Sequence, residues 1–170
     1  MLNFKQKLTK ITTLMFDVDG VMTDGKVLVM ENGETVRNVN SKDGYALHLA
    51  REKQYRIAVI SGGNNVAVKN LLNKTGITDV FINQRDKLAC YLEYVKVNNL
   101  VDEEVLFIGD DLPDYEIMSR VGVAACPKDA ATEIKHICQY VSGKNGGEGC
   151  VRDIIEQVLR VQNNWEIVGW

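Results

Sequence analysis

Two groups of carboxylates stand out by their spacing. Asp17 and Asp19 follow the apolar run Ile11 to Phe16, and Asp110, Asp111 and Asp114 follow the run Val105 to Ile108. Each run reads as a buried strand. Ligand sites of open α/β sheets lie at the carboxyl ends of strands, near a switch in strand order. If these two strands are neighbours, the carboxylates converge in one crevice and repel each other. A hard divalent cation with a preference for oxygen, most simply Mg²⁺, resolves that conflict. One Asp after a strand is explained as well by a turn or a helix cap; the double cluster is not. Ser61-Gly62-Gly63-Asn64 follows a third run, 57–60, and opens a helical pattern. It offers an anion a hydroxyl beside free backbone N–H groups. Lys87 begins the helix after the next strand, where it opposes the helix dipole. At that sheet edge it is placed to neutralise phosphate charge. Taken singly, Ser-Gly is ordinary turn chemistry and a lysine is an ordinary surface charge.

The frame for these groups is an alternation of strands and helices. Short apolar runs at 11–16, 57–60, 79–82, 105–108 and 121–125 predict strands. Helical patterns fall at about 44–54, 64–75, 86–99 and 113–120, with Asp86 as an N-cap and Gly76 as a C-cap. That rhythm predicts a doubly wound parallel sheet covered on both faces. Residues 25–40 break it. Lys26 to Met30 and Thr35 to Val39 read as a β-hairpin, with Asn32-Gly33 suited to a primed turn. An apolar hairpin projecting from a small core needs a cover, and a partner subunit is the obvious one. Gly143 to Gly149 reads as a flexible loop before a final helix at about 150–162 and a tail to Trp170.

Composition narrows the classes. The 170 residues are 45% hydrophobic and 25% charged, and 20 basic against 23 acidic side chains give −3. A basic nucleic-acid binder is therefore not expected. No apolar run reaches the ~20 residues of a membrane helix, and residues 1–7 lack a signal peptide's apolar core. Cys90, Cys126, Cys138 and Cys150 are too scattered for a zinc site and are expected as reduced thiols of a cytoplasmic protein.

The ordered set Asp17-x-Asp19, Ser61, Lys87 and Gly109-Asp110-Asp111-x-x-Asp114 resembles the haloacid dehalogenase (HAD) superfamily of phosphotransferases, with all four of its motifs in order. The likeness narrows with Asp17 to Gly25, the hairpin, Lys42-Asp43-Gly44, Gly109 to Asp114, and Gly146-Gly147-Glu148-Gly149-Cys150-Val151-Arg152. Over most of the chain these are similar to the capless 3-deoxy-D-manno-octulosonate 8-phosphate (KDO 8-phosphate) phosphatases of lipopolysaccharide biosynthesis. Relatives acting on nine-carbon 2-keto-3-deoxy acid 9-phosphates share the frame.

The resemblance implies one Rossmann-like, HAD-type domain over residues 1–170 without a cap, assembled as a homotetramer through its hairpins. It implies Asp17 as the nucleophile forming an aspartyl-phosphate, and Asp19 as acid and then base. Mg²⁺ would sit on the Asp17 carboxylate, the Asp19 backbone carbonyl and Asp110, with Asp111 or Asp114 acting through water or indirect contacts. Ser61 and Lys87 would grip the phosphoryl group. The sugar acid would meet Asp19, Lys87, the stretch Asn40-Ser41-Lys42-Asp43-Gly44, His48 and Arg152. Many family members carry two arginines in the second motif and its helix; here Gly63 and Leu71 occupy those substrate-facing positions. Lys42, Lys69, Lys74 and Arg85 are the cations left to compensate. A receiver-type signalling domain uses similar groups in another order, and a silent oligomerisation module would not keep them all. A phosphatase of the same mechanism acting on another ester is the remaining alternative.

Overall fold

The structure, a computed structural model, describes residues 3–166; the part of the expected tail at 167–170 lies outside them. The chain runs through α1 (Phe4–Leu8), β1 (Thr13–Phe16), and the hairpin strands β2 (Leu28–Val29) and β3 (Thr35–Val36). Next come α2 (Ser41–Glu52), β4 (Arg56–Ile60), α3 (Val66–Lys74), β5 (Asp79–Phe81) and α4 (Lys87–Val97). It ends with β6 (Val105–Ile108), α5 (Tyr115–Met118), β7 (Val123–Cys126), α6 (Thr132–Ile137), β8 (Tyr140–Val141) and α7 (Cys150–Val161).

Six strands form one parallel sheet in the order β5-β4-β1-β6-β7-β8. The chain winds outward from β1 through β4 to β5, then returns to the other side of β1. The switch in direction therefore lies between β1 and β6. In that pairing Phe16 stands opposite Ile108, so the two acidic segments leave the sheet side by side. All four residues of β1, β6 and β7 are buried, as expected of strands covered on both faces. Leu14, Phe16, Leu106 and Ile108 pack with Leu49, Ile154 and Val158 on one face. Met15, Ala58, Phe107 and Ala124 pack with Tyr91, Ile117 and Ile134 on the other.

The expected strands and main helices are present, with shifted ends. Asp86 caps α4 by accepting from the Ala89 N–H at 2.8 Å, and Gly76, at φ +83°, closes α3. α2 starts earlier than its pattern suggested, because Asn40 caps it through Lys42 N–H at 2.9 Å. The expected helix 113–120 is a 3₁₀ turn over Leu112–Asp114 followed by the short α5. α1, α6 and β8 were not anticipated; pieces of two to six residues carry too little periodicity.

The hairpin differs in detail from the expected primed turn, which needs positive φ at both central residues. Gly33 has φ +83° and Asn32 is not among the positive-φ residues. Gly33 N–H donates to Met30 O at 2.9 Å, and Met30 N–H to Glu34 O at 2.8 Å. That is the three-residue connection of a turn followed by a left-handed glycine. The ladder is only two residues per strand, and Leu28 and Val29 are 62% and 69% exposed.

The glycine-rich segment expected as a flexible loop is seated against the turn after β1. Gly147 N–H donates to Val21 O at 3.0 Å. A Cβ on Gly146 would stand 1.9 Å from Gly20 O, so only glycine lets the two loops touch. Asp43, among the residues expected near the substrate, is 4% exposed and faces α7. It accepts from Arg152 N–H at 2.7 Å, acting as a cap for a helix whose own N-cap, Gly149, has no side chain.

Burial pushes the Asp43 carboxyl up to about 6 against the pull of the Arg152 N–H and guanidinium. A raised folded-state pKa gives stability that is present below about pH 4 and lost as pH rises through 6. Asp43→Asn keeps the accepting oxygen and removes the charge. Unfolding free energies from pH 4 to 7.5 should fall for the parent relative to the variant by up to about 3 kcal/mol; parallel curves would contradict this account of Asp43.

Candidate active site

Asp17 extends β1 by one hydrogen bond, its N–H donating to Ile108 O at 2.9 Å. The chain then turns tightly, with Val21, Met22 and Thr23 N–H groups all directed at Val18 O. Gly20 sits in that turn at φ +86°, and a Cβ there would lie 2.0 Å from Asp110 Oδ2. The glycine thus lets the second acidic segment reach the first. Asp17, Asp110 and Asp114 each bring a carboxylate oxygen within 4.8 Å of the others.

Lys87 makes this crowding tolerable. Its Nζ lies 2.9 Å from Asp17 Oδ1 and 2.8 Å from Asp114 Oδ1, and all three side chains are buried. Desolvation disfavours the ammonium, but Asp17 and Asp114 outweigh it and raise the Lys87 pKa. Burial, with the charge of Asp114 added and Lys87 opposing, pushes Asp17 up to about 7. Asp110 is pushed up to about 8 by burial and by Asp17, Asp114 and Asp111.

The donor set fits a hard cation. In their ionised forms Asp17, Asp110 and Asp114 contribute −3 and Lys87 +1, leaving −2 among oxygen donors alone, which is the match for a divalent, oxygen-seeking ion. Asp114 is already engaged on both oxygens, by Lys87 at Oδ1 and by the Asp110 N–H at Oδ2, 3.2 Å away. Asp17 and Asp110 are therefore the better placed of the three to hold an ion, and Asp111 lines the same cleft.

Ser61 follows β4 and lines the same cleft. Its Oγ accepts from Asn65 Nδ2 at 2.8 Å and from Gly63 N–H at 3.2 Å. With both lone pairs used, its hydroxyl hydrogen is left to donate to an anion. α3 begins only at Val66, so the anion cradle is this hydroxyl and turn rather than the helix end. Asp19 stands apart from the acidic cluster. Its carboxylate receives Arg37 Nε at 2.6 Å, Asn65 Nδ2 at 3.1 Å and Thr23 Oγ1 at 3.4 Å.

The structure brings Asp17, Asp19, Ser61, Gly63, Lys87, Asp110, Asp111 and Asp114 to one cleft of about 410 Å³. Other expected substrate contacts do not line it within a single chain. Asn40, Ser41, Lys42, Asp43, Gly44 and His48 are the cap and first turns of α2. Leu71 lies on α3 beside a neighbouring groove. Arg152 packs over the rings of Tyr45 and Trp165 at 5.6 and 5.5 Å. Of the four cations expected to compensate for Gly63 and Leu71, Arg85 is the one that lines the cleft. Sequence reasoning missed Asn65 and Arg37. Asn65 carried a weak signal, four residues after Ser61 at a helix cap; Arg37, on the hairpin, carried none.

Comparison with known proteins gives concordant matches. Residues 72–154 match the haloacid dehalogenase-like hydrolase family. The 3-deoxy-D-manno-octulosonate 8-phosphate phosphatase of Yersinia pestis is 33% identical over 161 residues, covering 95% of this chain and 86% of the relative. A solved structure of the Yersinia pestis phosphatase superposes with a TM-score of 0.91 at 32% identity, over 94% of this chain and 86% of that one. The Moraxella catarrhalis 3-deoxy-D-manno-octulosonate 8-phosphate phosphatase, solved with magnesium ion, phosphate ion and KDO, gives a TM-score of 0.91 at 28% identity, over 94% and 92% of the chains. Among the described residues, no helix is long and apolar enough to cross a membrane.

Removing the buried ammonium should be costly. Lys87→Met leaves Asp17 and Asp114 without their counterion and should lower stability at pH 7.5 by about 3–5 kcal/mol. Adding Asp114→Asn should recover part of that loss, so that the double variant unfolds at higher urea than Lys87→Met alone. Strictly additive losses in this cycle would mean the two side chains are not energetically coupled.

Proposed function

The chain belongs to the haloacid dehalogenase-like phosphatases, in the group of the 3-deoxy-D-manno-octulosonate 8-phosphate phosphatases, and on that premise we propose its substrate and reaction course. The substrate is a phosphorylated 2-keto-3-deoxy sugar acid, with 3-deoxy-D-manno-octulosonate 8-phosphate first among them; the products are the free sugar acid and phosphate. The observation that carries this reading is the Lys87-bridged carboxylate cluster facing Ser61, with a separate carboxylate, Asp19, on the rim. Phosphate-ester cleavage needs a nucleophile, cationic grips on the phosphoryl oxygens and a separate proton donor, and the cleft offers each.

In the first step an Asp17 oxygen attacks phosphorus, the bond from phosphorus to the sugar oxygen breaks, and Asp19 supplies a proton to that oxygen. In the second, Asp19 takes a proton from water, the water oxygen attacks phosphorus, and phosphate leaves Asp17. Ser61 donates its hydroxyl hydrogen and Lys87 its ammonium charge to the phosphoryl oxygens, where negative charge is spread in a loose transition state. Asn65 holds Ser61 and Asp19 at a fixed separation through its one amide nitrogen. Asp17, Asp110 and the Asp19 carbonyl would hold Mg²⁺, with Asp111 and Asp114 in support. Its chemistry there is to neutralise carboxylate and phosphoryl charge.

A homo-oligomer, in the expected form a tetramer, completes the reading. Val27, Leu28, Val29, Met30, Val36 and Val39 are all more than 40% exposed, an apolar surface that a second copy would cover. α2 and Arg152, which do not reach the cleft of their own chain, are then free to border a neighbour's.

The test of substrate is a comparison of kcat/KM for 3-deoxy-D-manno-octulosonate 8-phosphate against nine-carbon keto acid 9-phosphates and arabinose 5-phosphate. A preference for arabinose 5-phosphate would overturn the keto acid assignment. Asp17→Asn should retain less than about one per cent of turnover. Asp19→Asn should lose ~10²–10⁴-fold in kcat on the sugar phosphate, and less on p-nitrophenyl phosphate, whose leaving group needs little protonation. An equal loss on both esters would count against Asp19 as the acid. EDTA should stop phosphate release, and Mg²⁺ should restore it better than Ca²⁺.

The assembly has its own test. Val27→Asp with Val29→Lys should yield monomers by light scattering. These should still cleave p-nitrophenyl phosphate slowly and lose far more kcat/KM on the sugar acid phosphate, because remote contacts come from the neighbour. A proven monomer that kept its full sugar acid phosphate activity would show that the hairpin is structural only.

A further inference from the structure

Asp19 has a partner that no step of the reaction uses. Arg37 leaves β3 on the return arm of the hairpin and lays one edge of its guanidinium against Asp19, Nε to Oδ1 at 2.6 Å and Nη2 to Oδ2 at 3.5 Å. Nη1 donates to Thr35 Oγ1 at 3.2 Å, and only 14% of the side chain is exposed. Arg37 also lines a groove of about 650 Å³ between the hairpin and α3, together with Asn64, Asn65, Asn70 and Leu71. This groove and the catalytic cleft meet at Asp19: Gly63 lines the cleft, and Asn64 and Asn65, next in sequence, line the groove.

An ester whose phosphorus lies at Asp17 and whose leaving oxygen lies at Asp19 must carry the rest of its carbon chain past Asp19 and out of the cleft. A sugar acid carries a second negative charge at the far end of that chain. In the cleft Lys87 is committed to Asp17, Asp114 and the phosphoryl group, and Arg85 is the other cation that lines it. Arg37, in the groove that the carbon chain enters, is placed to take the charge. Its planar fork matches a two-oxygen carboxylate. Its present partner is also the group that has to engage the leaving oxygen. Exchanging Asp19 for a substrate carboxylate replaces one arginine–carboxylate pair by another and keeps the guanidinium paired. Asp19 meanwhile remains oriented by Asn65 and Thr23, at 3.1 and 3.4 Å.

We propose that Arg37 is the specificity-determining residue that reads the substrate carboxylate, releasing Asp19 to it when the keto acid phosphate enters the groove. This rests on the sugar acid reading above. A phosphate ester without a carboxylate leaves Arg37 on Asp19 and is processed less efficiently for that reason.

The experiment compares two esters, 3-deoxy-D-manno-octulosonate 8-phosphate and arabinose 5-phosphate, which has no carboxylate, in the Mg²⁺-loaded parent, Arg37→Gln and Arg37→Lys. The quantity read is the ratio of the two kcat/KM values. In the parent the ratio should favour the acid. In Arg37→Gln it should fall by a factor on the order of 10 to 100, and Arg37→Lys, which keeps the charge without the fork, should fall in between. Phosphate-free keto acid should also bind Arg37→Gln more weakly by calorimetry, a readout that does not need turnover. A parent ratio near one would overturn the sugar acid reading itself. A parent that favours the acid, with the same ratio in Arg37→Gln, would leave that reading standing and overturn the role of Arg37. So would equal losses on both esters with unchanged keto acid binding, the pattern of a merely structural arginine.

Discussion

The molecule is organised around one buried ammonium. Asp17 and Asp114 approach Lys87 from two sides at 2.9 and 2.8 Å, in a crevice where unpaired charge is expensive. Carboxylates packed this closely would otherwise shed their charge by taking up protons, and the upward displacement of Asp17 and Asp110 shows how near that limit they stand. Lys87 occupies a position that local rules disfavour, the first residue of a helix, where the dipole repels a cation. The Asp86 cap and the two carboxylates hold it there. A local rule broken with a visible compensation is the mark of a functional site.

Every other requirement of the fold follows from bringing those carboxylates together. Strand order places β1 beside β6, so that Asp17 and Asp110 emerge from adjacent registers. Close approach then depends on side chains that are missing. A Cβ on Gly20 would enter the Asp110 carboxylate, and one on Gly109 would come within 2.5 Å of Asp114. Behind this layer, Gly146 and Gly147 press on the turn after β1, and Cys150 Sγ donates to Val21 O at 3.3 Å. α7 thereby supports the turn from outside, and its own start is capped by Asp43 from α2. The acidic site is thus tied, through the turn after β1 and the Gly146–Gly147 segment, to α7 and by way of Asp43 to α2.

What could be read from the sequence follows the strength of each signal. The five short apolar runs, the acidic clusters after two of them, Ser61, and Lys87 with its Asp86 cap were all legible, because each sits at a strand end or helix start where residue type and position agree. The boundary of α2 was not, since the Asn40 cap and polar first turn look like a loop until their hydrogen bonds are known. The expectation that Asn40 to Gly44 meet the substrate came from the family resemblance and not from that boundary; within one chain these residues form the cap and first turn of α2. β8 and α6 were hidden by brevity: each follows from docking against β7 and not from its own pattern. Asn65 and Arg37 were hidden for a different reason. Both act through contacts between distant segments, and a single Asn or Arg gives no sign of which carboxylate it will meet.

The same division explains why the reaction is easier to read than its substrate. Asp17, Ser61 and Asp110 follow strand ends, where the hydrogen-bond register of the sheet fixes their separations, and Lys87 is held to Asp17 and Asp114. Their charges nearly balance: −2 from Asp17, Asp110, Asp114 and Lys87 is cancelled by one divalent ion. A dianionic phosphate then meets a neutral site with directed donors from Ser61 and Lys87. That balance leaves no charge in the cluster for a further anionic group, which must be met at the rim, where Arg37 and Arg85 stand. The rim is built by the hairpin, α3 and the Arg85 segment, none of which the sheet register constrains. A hairpin with two residues per strand, anchored by Arg37 on Asp19 and by the bridge between Thr23 and Val39, can change its contacts without disturbing Asp17. Choice of ester can therefore diverge at the rim while the chemistry at the strand ends stays fixed.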